Sequence, residues 1–359
     1  MGDAPLRTAR DEYSDHCFRP IFRPIAQFHD DTESRSWFLF LGILQESAQH
    51  LRLLCRVIAH TDTRQYGELG RERPVSQTFR GKHALIIGAG QNIGRRIAQE
   101  WARRGARVAV ADIGKDAAEE TAAILRSMGA ESVALHCDVL DEASVLATID
   151  AAESALGPLD IHMNNAGILS GGNPEDIPLG AWQQMFDVNL FGMVRANNII
   201  VPRMIERGSG HIVNTASFAG LYPFAASRVH YAASKAAVLS MSENLALYLM
   251  QFGIKVSCLC PGPVMTSSTQ GMKHFSDDYV MRAPGSHLFV KTQQETATTL
   301  SDGMEQGKIV IPTHDELWAT LEEAAKDPDA FINKKHQEFL AGDPGKPGIT
   351  QDVIDSINE

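Results

Sequence analysis

The chain has 359 residues, 44% of them hydrophobic, enough to bury one large domain or two smaller ones. Its 33 basic against 44 acidic residues give a formal charge of −11, the wrong sign for a nucleic-acid partner and compatible with a small-molecule substrate. Five cysteines without a C-x-x-C pair offer no disulfide framework, and no apolar run reaches the ~18 residues of a membrane span, so a cytoplasmic protein with free thiols is expected.

Residues 1–78 contain arginine but no lysine, scattered aromatics and no sustained strand pattern. One helical stretch, 37–60, has no second element to bury its apolar side. The segment reads as a weakly ordered extension, of the kind an upstream translation start would add, or as an arm for a partner. From 79 to 312 the pattern changes to short β-rich runs alternating with longer helical ones. Strands are expected at 83–87, 107–112, 132–136, 161–164, 211–214, 255–259 and 308–311. Helices are expected at 93–104, 116–128, 141–156, 179–207, 231–251 and 293–306. This order predicts an α/β fold, a doubly wound parallel seven-stranded sheet with helices on both faces and ligands at the carboxyl ends of the strands. Residues 313–359 read as a tail, first helical through Trp318, Leu321 and Ala325, then flexible in the Gly- and Pro-rich stretch from 342.

Within the sheet domain, Gly88-Ala89-Gly90-Gln91-Asn92-Ile93-Gly94 follows the first expected strand and opens the first expected helix. Asp112 ends the next strand, 24 residues after Gly88 and 18 after Gly94. That spacing suits a dinucleotide: glycines let backbone N–H groups approach a pyrophosphate, the helix start adds partial positive charge, and the carboxylate accepts from the ribose hydroxyls. The same carboxylate repels a 2′-phosphate and so favours NAD over NADP, although Arg95 and Arg96 lie close enough in sequence to soften the preference. Further on, Tyr231 and Lys235 stand one turn apart on one helix face. An ammonium beside a phenol lowers its pKa from ~10 and readies it for proton exchange during hydride transfer. Cys258 and Cys260 alternate in a strand with no histidine cluster nearby, which reads as packing, and no metal site is assigned.

The Gly-rich loop, Asn164-Asn165-Ala166-Gly167, Ser217, the Tyr231/Lys235 pair and Pro261-Gly262 together resemble the short-chain dehydrogenase/reductase family, a Rossmann fold, over about residues 79–312. The resemblance implies further roles. Asp138 and Val139 lie at the adenine, and Asn165, Ala166 and Gly167 shape the cofactor floor. Asn189 holds a water beside the lysine. Ser217 orients the substrate oxygen, Tyr231 is the acid/base, and Lys235 tunes it and bonds the nicotinamide ribose. Pro261, Gly262, Val264 and Thr266 reach the carboxamide and pyrophosphate. The resemblance also implies a homodimer or homotetramer through helices 179–207 and 231–251.

Two departures from the family pattern stand out. Asn92 occupies the place of its middle glycine and Ile87 that of its leading threonine, which predicts a reshaped loop, Asn being the residue after glycine that best tolerates left-handed backbone. The 14-residue step from Ser217 to Tyr231 is about one longer than the family leads one to expect, which suggests a small insertion near Tyr222-Pro223-Phe224.

Residues 265–290 stand where the family carries its variable substrate lid. Met265, Met272, Phe275, Tyr279 and Met281, with Ile168, Leu169, Phe218 and Phe224, either line an apolar pocket or simply pack. The expectation is an NAD-dependent enzyme interconverting a medium-sized apolar or cyclic secondary alcohol and its ketone. An NADPH-dependent 3-oxoacyl thioester reductase and a cofactor-sensing regulator without catalysis are the alternatives.

Overall fold

The structure, a computed structural model, describes residues 78–267, 272–279 and 283–341. Backbone contacts divide the chain into two units, Met1–Arg73 and Pro74–Glu359. The expected extension over 1–77, the flexible stretch from 342 and Met281 lie outside the described residues. In chain order the elements are β1 (His83–Ile87), α1 (Asn92–Arg103), β2 (Arg107–Asp112), α2 (Lys115–Ser127), β3 (Ser132–His136), α3 (Glu142–Leu156), β4 (Ile161–Asn164), β5 (Ser170–Gly171), α4 (Leu179–Phe186), α5 (Gly192–Arg207), β6 (Gly210–Thr215), α6 (Val229–Leu249), β7 (Ile254–Cys260), β8 (Lys273–His274), α7 (Gln293–Glu305), β9 (Val310–Pro312), α8 (Leu317–Lys326) and α9 (Pro328–Leu340).

Seven strands form one parallel sheet in the order β3-β2-β1-β4-β6-β7-β9. Parallel strands are covered on both faces, so alternate residues of one strand serve opposite layers. In β1, Ala84 and Ile86 pack with Ile97 and Trp101 of α1 and Leu300 of α7, while Leu85 and Ile87 pack with Ile149 of α3 and Ile200 of α5. Each fully buried Ile or Leu contributes roughly 1.5–3 kcal/mol to the fold. Strand order reverses direction between β1 and β4, which opens the crevice where doubly wound sheets hold ligands.

Three features depart from the expected elements. The helix expected at 179–207 keeps those ends but changes its winding midway: α4 and α5 are joined by a π turn over Asp187–Phe191, which carries Asn189. Second, β5 pairs with β8 as a separate two-stranded sheet, tying the loop after β4 to the segment after β7. Third, the tail forms two helices. Asp327 caps α9 through a bond from the Ala330 N–H, with Pro328 at its first turn. Phe331 of α9 and Leu317 of α8 are buried with Phe218 and Tyr222, so these helices cover the loop that follows Ser217.

A chain of buried polar groups runs between the layers. Asn164 Nδ2 donates to Asn214 Oδ1 (2.9 Å) and Asn197 Oδ1 (3.1 Å), and Asn214 Nδ2 donates to Ser242 Oγ (3.0 Å). It joins β4 and β6 to α5 and α6, directly beneath the crevice. Cys258 and Cys260 are free, buried and part of the apolar packing.

Candidate active site

The Gly-rich loop is shaped by close approach. A Cβ on Gly88, whose φ is +88°, would meet the Ala166 backbone nitrogen at 2.5 Å, and one on Gly90 would meet the Asp112 carboxylate at 2.8 Å. Asn92 is the one described non-glycine residue in the left-handed region, at φ 52°, where the family pattern has glycine. Its Oδ1 accepts both the N–H (3.0 Å) and the hydroxyl (2.9 Å) of Ser267, next to Thr266. Gln91 precedes α1 in an extended conformation and makes no side-chain cap, so the first N–H groups of the helix, at Asn92, Ile93 and Gly94, have no capping oxygen from it.

Asp112 accepts from Gly90 N (2.9 Å) through one oxygen and Gly114 N (3.0 Å) through the other. Arg95 is committed elsewhere: it donates to the Gly90 carbonyl (2.6 and 3.0 Å) and pairs with Glu120 at 2.8 Å. Arg96 donates to Gln99. Asn165 locks the loop from the other side, donating to Gly88 O (2.7 Å) and accepting from Thr215 Oγ1 (3.0 Å). Ala166 N donates to Ile87 O (2.9 Å). At the end of β3, Asp138 accepts from Leu140 N, and the Val139 carbonyl accepts from Arg195.

Four residues of the expected catalytic set converge beside the carboxyl ends of β4 and β6. Lys235 Nζ lies 5.8 Å from the Tyr231 ring centroid and donates to Thr215 O at 2.8 Å. Gly167 lies between Asn189 and Lys235: a Cβ there would meet Asn189 Oδ1 at 3.2 Å and Lys235 Nζ at 3.5 Å. Asn189 is fully buried; its Oδ1 accepts from Ile168 N (2.8 Å), and its Nδ2 donates to Ile168 O (3.1 Å) and Ser234 Oγ (3.2 Å). π turns often mark functional sites because the extra residue re-aims one side chain, and here that side chain is Asn189. Ser217 is extended at the end of β6, and its hydroxyl accepts from Ala219 N.

The electrostatics correct one expectation. The chain's own groups do not bring Tyr231 below its ordinary value: burial pushes the phenol up and outweighs the downward pulls of the Ser217 hydroxyl and the Arg228 guanidinium. Lys235 is itself pulled down to about 8 by burial. Arg228, buried in the short turn before α6, thus acts on the phenol, a contribution the sequence reading missed because its expected helix began at Tyr231 and left Arg228 outside it.

The substrate side also redistributes. Phe218 and Phe224 belong to the cluster under α8 and α9, with Lys335 lying 5.4 Å from the Phe224 ring, so they pack rather than face the crevice. Phe275 sits against β5, and its N–H donates to Gly171 O at 2.9 Å. Tyr279 approaches the same glycine. Ser170 and the buried His230 share a hydrogen bond of 2.7 Å, and the His230 ring lies between Trp182 and Phe275. No periodicity in the sequence marks that pair. Pro261 O accepts from Phe218 N, and Val264 bridges to Lys291, which places the segment after β7 against both Ser217 and the 283–291 return.

The profile of the short chain dehydrogenase family matches residues 82–277. The chain is 35% identical over 277 residues to oxidoreductase UcpA of Salmonella typhimurium, covering 77% of this chain and 93% of that protein. It is 34% identical over 194 residues to the 7α-hydroxysteroid dehydrogenase of Escherichia coli, covering 54% and 74%. In structure it is similar to a short chain dehydrogenase/reductase from Burkholderia phymatum solved in complex with NAD, with a TM-score of 0.61 and 30% identity over 70% of this chain and 95% of that one. A parallel seven-stranded sheet, the crevice chemistry at its carboxyl edge and these likenesses agree: the chain belongs to the short chain dehydrogenase family of oxidoreductases.

Proposed function

We propose that the protein interconverts a secondary alcohol and a ketone with NAD as the redox partner, and that Tyr231, Ser217, Lys235 and Asn189 carry the proton chemistry. The observation behind this is the convergence of Tyr231, Lys235 and Ser217 beside the floor formed by Asn165, Ala166 and Gly167. The residues fit a dinucleotide: Gly88 and Gly94 admit no side chain, the start of α1 lacks a side-chain cap, and Asp112 is partly exposed. NAD is preferred over NADP because the Asp112 carboxylate faces this loop while Arg95 is held by Gly90 and Glu120.

Bound nicotinamide supplies the hydride acceptor or donor. Ser217 donates to the substrate oxygen and holds it against Tyr231, whose phenolate takes the hydroxyl proton during oxidation and whose phenol returns it during reduction. A buried phenol with a raised pKa needs neighbouring positive charge to ionise near neutrality. Lys235 and Arg228 supply it, and Asn189 orders the path beside Lys235. Phe275, Tyr279 and Ile168 offer an apolar wall at the mouth, which suits a medium-sized or cyclic alcohol; the Escherichia coli relative is named for a hydroxysteroid.

The full chain, incubated with NAD and a panel of cyclic and steroid-like alcohols, should generate NADH absorbance. Tyr231→Phe should lose at least about 10³-fold in kcat while still binding NAD. Activity that survives this change overturns the assignment. NAD binding with no turnover on any alcohol favours a cofactor-sensing regulator.

A homodimer or homotetramer through α4–α6 completes the reading, supported by the exposed Leu179, Phe191, Leu247 and Tyr248 on those elements. Sedimentation equilibrium tests it, and a monomer at micromolar concentration sinks it. No described helix is long and apolar enough to cross a membrane, and the buried thiols Cys137, Cys258 and Cys260 suit a reducing, cytoplasmic setting.

A further inference from the structure

Directly after β9 stand Thr313 and His314, both almost completely buried and beyond the stretch matched by the family profile. Gly262 N–H donates to Thr313 Oγ1 at 2.9 Å. Thr313 Oγ1 and His314 Nδ1 are 2.8 Å apart, and His314 Nε2 lies 2.8 Å from the Phe289 carbonyl oxygen.

Chemistry sets the direction of the whole chain. A carbonyl only accepts, so Nε2 carries the ring proton; neutral Nδ1 then accepts, and the Thr313 hydroxyl donates to it while its oxygen accepts the Gly262 N–H. Every donor has an acceptor. The His314 ring also lies edge-on to Phe218 at 5.8 Å, and Phe218 N in turn donates to Pro261 O at 2.9 Å. Gly262 has no room for a side chain: a Cβ would meet Phe218 at 2.7 Å and His314 Nδ1 at 3.0 Å.

We propose that Thr313 and His314 are positioning residues that lock the Pro261-Gly262 turn, the Ser217-Phe218 turn and the 283–291 return segment into one rigid piece. This rests on the functional reading above, together with what the family resemblance implies, that Pro261-Gly262 reaches the carboxamide of the cofactor and that residues 265–290 stand at the substrate side. A second proton on His314 breaks the arrangement, because Nδ1 becomes a donor and the Thr313 proton loses its acceptor. Burial opposes that protonation most strongly and Lys291 adds to it, whereas the Phe289 carbonyl, Glu316 and Glu295 favour it.

Thr313→Val, Thr313→Ser and His314→Gln, made in the full chain, test the brace by amide hydrogen exchange and by kinetics. Thr313→Val should raise exchange at Gly262 about tenfold or more while amides inside β7 keep their protection, and Thr313→Ser should restore it. KM for NAD should rise about tenfold in Thr313→Val with a smaller change in kcat. The acid-side rise in KM expected of the parent protein should vanish in His314→Gln. Unchanged Gly262 exchange in Thr313→Val, or a Thr313→Ser protein as impaired as Thr313→Val, overturns the proposal. If the parent protein oxidises no alcohol, the functional reading fails, and the exchange data still decide whether the brace exists.

Discussion

Asn92 and Ser267 are joined by two hydrogen bonds to a single oxygen, the Asn92 Oδ1, so the residue standing in place of a loop glycine also clasps the segment that follows β7. The left-handed backbone and the side-chain clasp make separable demands. Alanine loses the clasp and strains at φ 52°, whereas glycine loses the clasp but fits the backbone. Asn92→Ala should therefore be less stable than Asn92→Gly by about 1 kcal/mol in urea unfolding. Equal stability of the two variants would contradict a left-handed residue 92.

Asp112 should govern cofactor affinity more than turnover. Its two oxygens hold Gly90 and Gly114 in place, and under the proposed function they would accept from the ribose hydroxyls of NAD. Asp112→Ala should raise KM for NAD by about 10- to 100-fold, the equivalent of losing one or two hydrogen bonds to a charged group. Its preference for NAD over NADP should shrink at the same time. Titration of both cofactors by quenching of protein fluorescence checks the expectation.

Acid should destabilise the fold through two histidines. Desolvation pushes His162 down to about 4, and it also brings His211 to about 4 with help from Lys255. Between pH ~6.5 and ~4 the unfolded chain takes up protons that the folded one refuses. The stability these neutral rings contribute is thus complete above ~6.5 and is lost as pH falls toward 4. The loss should reach about 3 kcal/mol for His162 and less for the partly exposed His211. His162→Gln keeps a donor for Asn164 and cannot titrate, so its urea midpoint should depend less on pH across this window.

Phe331 should matter to the substrate side although it lies in the C-terminal tail. Its ring meets Tyr222 edge-on at 6.2 Å, in the loop between Ser217 and Tyr231. Phe331→Ala should cost about 3–5 kcal/mol of stability and raise KM for the alcohol more than KM for NAD. Calorimetry and paired kinetics separate the two effects.

Much of this architecture was legible from the chain. β1 to β4 coincide with the runs expected at 83–87, 107–112, 132–136 and 161–164: β1, β2 and β4, covered on both faces, read as short apolar blocks between glycine and charge, while the half-buried edge strand β3 shows as a short β-rich run. Tyr231 and Lys235 share a helix face as their spacing requires. The π turn at Asn189 was not legible, since one extra residue in a long helix barely alters hydrophobic periodicity. Two-residue strands such as β5 and β8 carry no pattern at all. The direction of the Tyr231 shift depends on desolvation by elements far away in sequence, which an i,i+4 argument does not contain. Thr313 and His314 escaped for a similar reason: they resemble the start of a tail until the structure brings Gly262 and Phe289 to them.

Asn164 and Asn214 stand opposite one another in the pairing of β4 with β6. A slip of either strand by one residue would swing one carboxamide into the opposite layer and abandon its mate among aliphatic side chains. Misaligned sheets are thereby penalised while the protein is still assembling, and the amide pair works as a keyway that admits a single alignment of the two strands beneath the crevice.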